Sequence, residues 1–232
     1  MAGLLAALFG LPRPLFAVLV ALLAGGGARE WARLCGLRGA RGLLFAAGVV
    51  AAFAVLFLAG PAAERYAFGI AAIFWVLLVP PWLASGMANA RSGALLVAGF
   101  AVLVPASLAM ATLEPRRLLA VLVLVWVADS AAYFVGRALG RRKLAPSISP
   151  GKTWEGAAGG VAAALVWAII CRRVFEDAAW TPYLAAAAIL AAASIVGDLF
   201  ESAAKRRAGV KDSGALLPGH GGILDRIDSA TA

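Results

Sequence analysis

Long apolar stretches separated by short polar ones dominate the pattern along this chain. Seven stretches are candidate membrane spans, and they cover residues 15–27, 43–60, 67–85, 93–112, 118–136, 157–171 and 183–199. They are rich in Ala, Leu and Val and do not alternate apolar with polar residues, which predicts helices and not strands of a membrane barrel. Several are shorter than the roughly 20 residues that cross a bilayer. The first is the weakest, and we expect it to gain length from residues 4–11 or 29–34.

Composition supports a membrane protein. Hydrophobic residues make up 63% of the 232 positions, charged residues 14%, and the mean hydropathy is +0.91, far outside the range of soluble domains. The predicted fold class is all-α, a polytopic integral membrane bundle of about seven transmembrane helices. We expect a single integral membrane domain over 1–232. Residues 1–117 supply N-terminal membrane helices, and residues 118–228 supply the helices and loops that carry the chemistry.

The net charge of +9 does not indicate nucleic-acid binding, because the basic residues lie in short loops and form no continuous face. They indicate orientation instead. Fifteen of the 21 Lys and Arg residues fall in one set of alternate loops, and such loops stay in the cytoplasm. The polar stretches 137–156 and 201–228 are therefore expected on the cytoplasmic face, where nucleotides are available.

The end of the seventh span carries an acidic residue at membrane depth. If this helix continues to about Arg207, Asp198, Ser202 and Lys205 share one face. A carboxylate in the membrane is costly and by default marks a functional site. The alternative for a lone aspartate, equally weighted, is a helix-end residue that reaches the interface beside Lys205.

Further carboxylates and cations follow Asp198 on the same side. The carboxylates are Asp212, Asp225 and Asp228, and they are interleaved with Lys205, Arg206, Arg207, Lys211 and Arg226. Carboxylates with cations suit Mg²⁺ and phosphates together. The alternative is a solvated, charge-balanced tail, but that reading does not explain the Pro-Gly-His-Gly-Gly run at 218–222. Its glycines allow backbone amides to approach a phosphate closely.

Two other polar blocks precede this tail. Asp129 and Tyr133 lie at i and i+4, and Gly136 and Gly140 continue the face, so this polar stripe can pack against another helix. The alternative is that Asp129 only pairs with Arg137 near the interface.

Lys152 follows a Ser-Pro-Gly turn and precedes Thr153 and Glu155 at the start of the sixth span. Helix starts of this kind bind anions well. An ordinary positively charged loop with an N-cap is the alternative.

These three blocks resemble one known family, the phosphatidate cytidylyltransferases, also called CDP-diacylglycerol synthases. The signature match consists of Ser202, Lys205, Arg206, Lys211, Asp212, Gly214, Pro218, His220, Gly221, Gly222, Asp225, Arg226 and Asp228. Residues 149–156 resemble the family's loop before a membrane helix, and residues 129–137 resemble its polar helix. The resemblance covers about 129–228, while the N-terminal half matches mainly in hydropathy.

The resemblance implies transfer of CMP from CTP to phosphatidate in a bacterial inner membrane, with the active site facing the cytoplasm. It implies catalytic roles for Asp198, Lys205, Lys211, Asp212, His220, Asp225 and Asp228. Substrate binding would fall to Lys152, Arg206, Gly221, Gly222, Arg226, Asp129 and Tyr133. Magnesium, with a second cation conceivable, would be held by Asp198, Asp225 and Asp228. The partners implied are CTP, the phosphatidate lipid and the bilayer, with a homodimer as one arrangement and no nucleic acid.

Three other functions stay open at this stage. A cytidylyltransferase acting on another lipid phosphate would carry the same residues. An ion-coupled transporter would also place Asp129 and Asp198 in membrane helices, but it would not call for the charged C-terminal block, and its usual inverted repeat is absent. A CDP-alcohol phosphotransferase would need a helix-borne cluster of regularly spaced aspartates, which this sequence does not contain. Family members typically continue into a further membrane helix after the last signature aspartate, so we expect a truncated form here.

Overall fold

The computed structural model describes residues 2–85, 87, 90–173, 180–214 and 222–227. It is 81% helical, which confirms the predicted all-α class. The helices are α1 (Ala2–Gly10), α2 (Arg13–Leu34), α3 (Ala40–Ala59), α4 (Pro61–Ile73), α5 (Val79–Ala84), α6 (Ser92–Thr112), α7 (Pro115–Leu139), α8 (Trp154–Arg172), α9 (Trp180–Arg207) and α10 (Leu224–Ile227).

Seven helical segments of the described chain are long and apolar enough to cross a membrane, as predicted. They are longer than the apolar runs because charged residues at their ends are also helical. The first span takes residues 29–34 and ends at Leu34, while residues 2–10 form the separate helix α1. Large apolar side chains stay on the outside, with Leu22 69%, Leu58 83% and Val97 70% exposed. In water such a surface would aggregate, whereas lipid accepts it.

The third span contains an irregular turn. Residues Phe74–Leu78 form a π-helix between α4 and α5. Pro80 and Pro81 follow after Val79 and cannot donate a backbone hydrogen bond, so the regular i to i−4 ladder cannot pass through them unchanged.

The chain forms two compact units. The first unit contains Met1–Pro115 and Ala204–Ile227, and in it α2 packs on α3 and α6. Trp31 is buried there, and its Nε1 donates to the carbonyl oxygen of Leu95 at 2.7 Å. Gly99 makes room for the indole, because a Cβ at Gly99 would lie 2.5 Å from the Trp31 ring.

The second unit, Arg116–Ala203, has a core of small residues. Ala128, Ala164, Ala168, Ala187 and Ala191 are all buried, and Leu124 packs with them. Side chains this small allow helix backbones to approach closely, which is how membrane helices pack without a hydrophobic driving force between them.

A β-hairpin precedes α8, where the sequence predicts only a loop. Strand β1 (Lys143–Ala145) pairs antiparallel with β2 (Ser149–Thr153). Glu155, in the first turn of α8, accepts hydrogen bonds from the backbone amides of Arg141 and Arg142 at 3.1 to 3.3 Å. The hairpin is therefore held by a long-range contact that no local pattern reveals.

Candidate functional site

Each unit carries one polar centre, and the first is built around a buried carboxylate in α2. Glu30 is 0% exposed. Its Oε1 accepts a hydrogen bond from the amide of Ile223 at 3.0 Å, and its Oε2 accepts from the amide of Leu224 at 2.9 Å and the hydroxyl of Ser213 at 3.0 Å. Glu30 therefore fixes both segments of the C-terminal signature, before and after residues 215–221.

Asp225 is the second carboxylate of this centre. Its Oδ1 accepts from Lys205 Nζ at 2.8 Å, and its Oδ2 accepts from the amides of Gly222 at 2.8 Å and Ser213 at 3.0 Å. Burial alone would raise the pKa of Asp225, but the bonds from Lys205, Gly222 and Ser213 outweigh it and hold the pKa below its ordinary value. Asp225 is thus a charged hub whose acceptor positions are largely occupied.

Glycines let these segments come close to Glu30. A Cβ at Gly214 would lie 2.6 Å from Glu30 Oε1, and one at Gly222 would lie 2.5 Å from Glu30 Oε2. Distances under 3.0 Å force the neighbouring atoms to move. We call Glu30, Ser213, Gly222 and Asp225, with Lys205, the Glu30–Asp225 centre.

The second unit contains an open cavity of about 700 Å³ at the C-terminal end of α7. Asp129, Tyr133, Lys152 and Asp198 all line it. Lys152 Nζ lies 2.5 Å from Asp198 Oδ2, and Ser202 donates to Asp198 Oδ1 at 3.2 Å. Asp198 and Ser202 therefore share one face of α9, as predicted. We call this group the Lys152–Asp198 centre.

The local fold of the second unit explains why Lys152 reaches Asp198. Thr153 caps α8 by accepting from the amide of Gly156 at 3.1 Å, which fixes the end of β2. A Cβ at Gly156 would lie 2.6 Å from the carbonyl oxygen of Ala132, so only glycine lets α8 approach α7 there. The prediction that the Gly136 face packs against another helix is confirmed, because Gly136 faces the Gly156 backbone.

The remaining predicted residues fall outside these two centres or outside the described chain. Arg206, Lys211 and Asp212 are exposed at and after the end of α9. Arg137 donates to the hydroxyl of Tyr133 at 3.4 Å. His220, Gly221 and Asp228 lie outside the described residues, as does the side chain of Arg226.

Carboxylate oxygens are the right donor type for Mg²⁺, but Asp198 and Asp225, the two described carboxylates assigned to the metal, are engaged elsewhere. Asp198 is shared between an ammonium and a hydroxyl, and Asp225 accepts from three donor groups. Over the described ranges, no group of three or more His, Cys, Asp or Glu side chains could hold a metal ion. These residues therefore do not fit a resident metal centre in their present pairing.

Glu30 is the functional candidate that the sequence-based interpretation missed. It lies beside Arg29 at the end of the first span, where its charge counts as an ordinary loop feature. The available signal was a carboxylate within an apolar run, the same signal that drew attention to Asp198. The hydrogen bonds that Glu30 accepts come from residues more than 180 positions away, and such contacts cannot be predicted from spacing in the sequence.

Comparison of the sequence with known proteins finds related enzymes. A profile described as the cytidylyltransferase family matches residues 1–232. A phosphatidate cytidylyltransferase of Pseudomonas aeruginosa is 41% identical over 227 residues, covering 94% of this chain and 84% of that protein. Enzymes of the same name from Haemophilus influenzae and Bacillus subtilis are each 54% identical, over 120 and 110 residues. Those two alignments cover 50% and 46% of this chain but only 42% and 40% of the relatives' length.

Proposed function

The chain belongs to the cytidylyltransferase family, and on that premise we propose that it transfers CMP from CTP to phosphatidate, giving CDP-diacylglycerol and pyrophosphate. The observation that carries the proposal is the 41% identity to the Pseudomonas enzyme over 94% of this chain. The signature residues that suggested the reaction also build a buried, ordered centre around Glu30 and Asp225. A solvated tail would not need such a centre.

The reaction needs positioning more than it needs acid–base chemistry. A phosphate oxygen of phosphatidate attacks the α-phosphorus of CTP and forms a new P–O bond. The bond from the α-phosphorus to the oxygen that bridges to the β-phosphorus breaks, and pyrophosphate leaves with that oxygen. Because a phosphate monoester is largely dianionic at neutral pH, the nucleophile needs no general base. The protein must align the two substrates and offset their combined negative charge.

Lys152 is the residue of the second unit that we assign to a phosphate. Its ammonium lines the 700 Å³ cavity and is held in place by Asp198. A phosphate that enters the cavity can take the ammonium as a partner, while Asp198 keeps its bond from Ser202. Asp129 and Tyr133 line the same cavity and supply the polar wall opposite an incoming substrate.

Within the first unit, the signature cations of the C-terminal segments are proposed to contact substrate phosphates. These are Lys205, Arg206, Lys211 and Arg226, with His220 orienting the glycine turn and Asp212 and Asp228 as accessory carboxylates. Magnesium is proposed as the cofactor, because a triphosphate substrate supplies most of the oxygen ligands that this ion requires. When bound, it would neutralise phosphate charge. Since Asp198 and Asp225 are already paired, we expect it to arrive with the nucleotide.

We place the protein in the bacterial inner membrane with both polar centres on the cytoplasmic side. Support comes from the fifteen Lys and Arg residues that cluster in one set of alternate loops, from seven candidate spans in the described chain, and from the bacterial relatives.

A reconstituted transfer reaction tests the proposal. Purified protein in detergent is incubated with CTP, Mg²⁺ and either phosphatidate or a competing lipid phosphate, and lipid-soluble cytidine product is measured. Lys152→Gln is expected to lower kcat/KM by roughly 10-fold to 100-fold, because one charged hydrogen bond to phosphate is lost. Arg173→Gln, at the opposite end of α8, is the matched control. Equal kcat/KM values for Lys152→Gln and Arg173→Gln would show that Lys152 does not bind the substrate. Product formed only with the competing lipid phosphate would show that this lipid, and not phosphatidate, is the acceptor.

A further inference from the structure

An arginine-lined cavity of the first unit has no role in the function described so far. The cavity measures about 490 Å³, and Arg29, Arg33 and Arg38 line it together with Ser213. Arg29 and Arg33 lie one turn apart on α2 and so face the same direction. Arg38 comes from the turn that follows this helix. The sequence-based interpretation assigned these arginines only to membrane orientation.

The turn that carries Arg38 is rigid. The helix α2 ends with a pair of bonds from the amide of Gly36 to the carbonyl of Arg33 at 2.9 Å and from the amide of Leu37 to the carbonyl of Ala32 at 2.8 Å. This is the Schellman arrangement, and Gly36 takes the left-handed conformation that it requires, with φ of 86°. The backbone that carries Arg38 at the edge of the cavity is therefore well defined.

The charge of the cavity is uncompensated within the described chain. No hydrogen bond or ion pair joins the guanidinium groups of Arg29, Arg33 and Arg38 to any described residue. Asp212 also lines the cavity, but it forms no ion pair with them. Three like charges around one cavity repel each other, and a multiply charged anion would relieve that repulsion.

The cavity shares a wall with the Glu30–Asp225 centre. Ser213 lines the cavity, donates its hydroxyl to Glu30 and donates its amide to Asp225. A volume of about 490 Å³ lies within the usual size range for small-molecule sites. Arginine suits phosphate oxygens because its planar fork can donate two parallel hydrogen bonds.

We propose that Arg29, Arg33 and Arg38 form a binding site for a phosphate-ester anion in the first unit. This inference rests on the proposed function for its choice of ligands, which are the phosphates of the nucleotide and the headgroup phosphate of the acidic lipid. Both ligands present the same chemistry to the arginines, so the experiment must distinguish them.

Two binding measurements distinguish the nucleotide from the lipid as the ligand of this cavity, and neither measurement requires turnover. The full chain in phosphatidylcholine nanodiscs is dialysed against labelled CTP, and the full chain in detergent with phosphatidate is analysed by native mass spectrometry. The test variant combines Arg29→Gln, Arg33→Gln and Arg38→Gln. The control combines Arg13→Gln, Arg41→Gln and Arg65→Gln, which removes the same charge from exposed residues of the first unit that do not line the cavity.

The test variant is expected to weaken binding at least tenfold relative to the control in one of the two measurements. A loss confined to CTP assigns the cavity to the nucleotide, and a loss confined to phosphatidate assigns it to the lipid. If both affinities stay within twofold of the control, the inference is wrong. The single variant Arg38→Gln, which lies outside any helix, decides the question if the triple variant does not fold, with a loss of about threefold or more expected.

Failure of the inference can be told from failure of the proposed function. Unchanged affinities in a chain that still makes lipid-linked cytidine overturn only the arginine site. Arginine-dependent binding of CTP or phosphatidate by a chain that makes no such product overturns only the transfer reaction.

Discussion

Glu30 should be essential for the order of the signature segments, although it lies far from them in sequence. In Glu30→Ala, the hydroxyl of Ser213 and the amides of Ile223 and Leu224 lose their acceptor. Each unsatisfied buried donor costs about 1–3 kcal/mol. Because some of these donors can find water once the side chain is gone, we expect a net destabilisation of about 3 kcal/mol for the anchored segments.

This cost is best measured locally, because the C-terminal segments can open without unfolding the whole chain. Trypsin cleaves after Arg206, Arg207 and Lys211, which lie shortly before the anchored Ser213. When opening is fast relative to cleavage, the cleavage rate follows the open population, so about 3 kcal/mol corresponds to a rise of roughly 100-fold. Glu30→Gln is isosteric but presents an amide nitrogen to donors, and we expect a smaller rise of about 10-fold.

Glu64→Ala is the matched control, because Glu64 is an acidic residue of the same unit that lies in the first turn of α4. It should change tryptic cleavage by less than twofold. Cleavage of Glu30→Ala at the rate of the Glu64→Ala control would refute the view that Glu30 anchors the signature.

Three other predictions follow from the described contacts. Because the pKa of Asp225 is lowered in the folded state, its contribution to stability is present above about pH 4 and is lost as the pH falls through the folded pKa. Asp225→Asn should therefore be less stable than the native chain at pH 7. Urea titrations should show that the difference in unfolding free energy between the two proteins shrinks below about pH 4. Gly156→Ala places a Cβ 2.6 Å from a carbonyl oxygen of α7 and should lower the Tm by several degrees. The control Gly69→Ala has nothing within 4 Å of its Cβ and should leave the Tm unchanged. Equal Tm values for the two variants would contradict the close packing of α7 and α8. Burial raises the pKa of the Cys35 thiol to about 11, despite the opposing charge of Arg207. In a Cys171→Ser background, maleimide labelling of Cys35 should therefore be slow at pH 8 and should accelerate only as the pH approaches about 11. Fast labelling at pH 8 would contradict this by showing an accessible thiolate.

Much of the fold could be predicted because each membrane helix corresponds to a continuous local run of apolar residues. Each of the seven apolar runs became a span, and the first gained residues 29–34, one of the two extensions expected. Helix ends were predicted less well elsewhere, because charged residues such as Arg116 and Arg172 lie beyond the apolar runs yet are helical. The β1–β2 hairpin could not be predicted, since it depends on Glu155 binding two amides more than ten positions away.

Several residues that the two centres bring together were singled out from the sequence, but their partners were not. Spacing placed Asp198 beside Ser202 correctly, because both lie on one helix. The partners Lys152 for Asp198 and Lys205 for Asp225 come from other segments of the chain. Glu30 was missed for the same reason, since its three donors lie at 213, 223 and 224. A single sequence carries no record of such long-range contacts.

The position of the label transferred from CTP tests the central claim most directly. The purified chain is incubated with phosphatidate and Mg²⁺, and with CTP labelled either at the α-phosphate or at the γ-phosphate. Cytidylyl transfer predicts that the α-label enters the chloroform-soluble lipid and that the γ-label appears only in water-soluble pyrophosphate. Label from the γ-phosphate in the lipid, or no lipid label from either nucleotide, would contradict it.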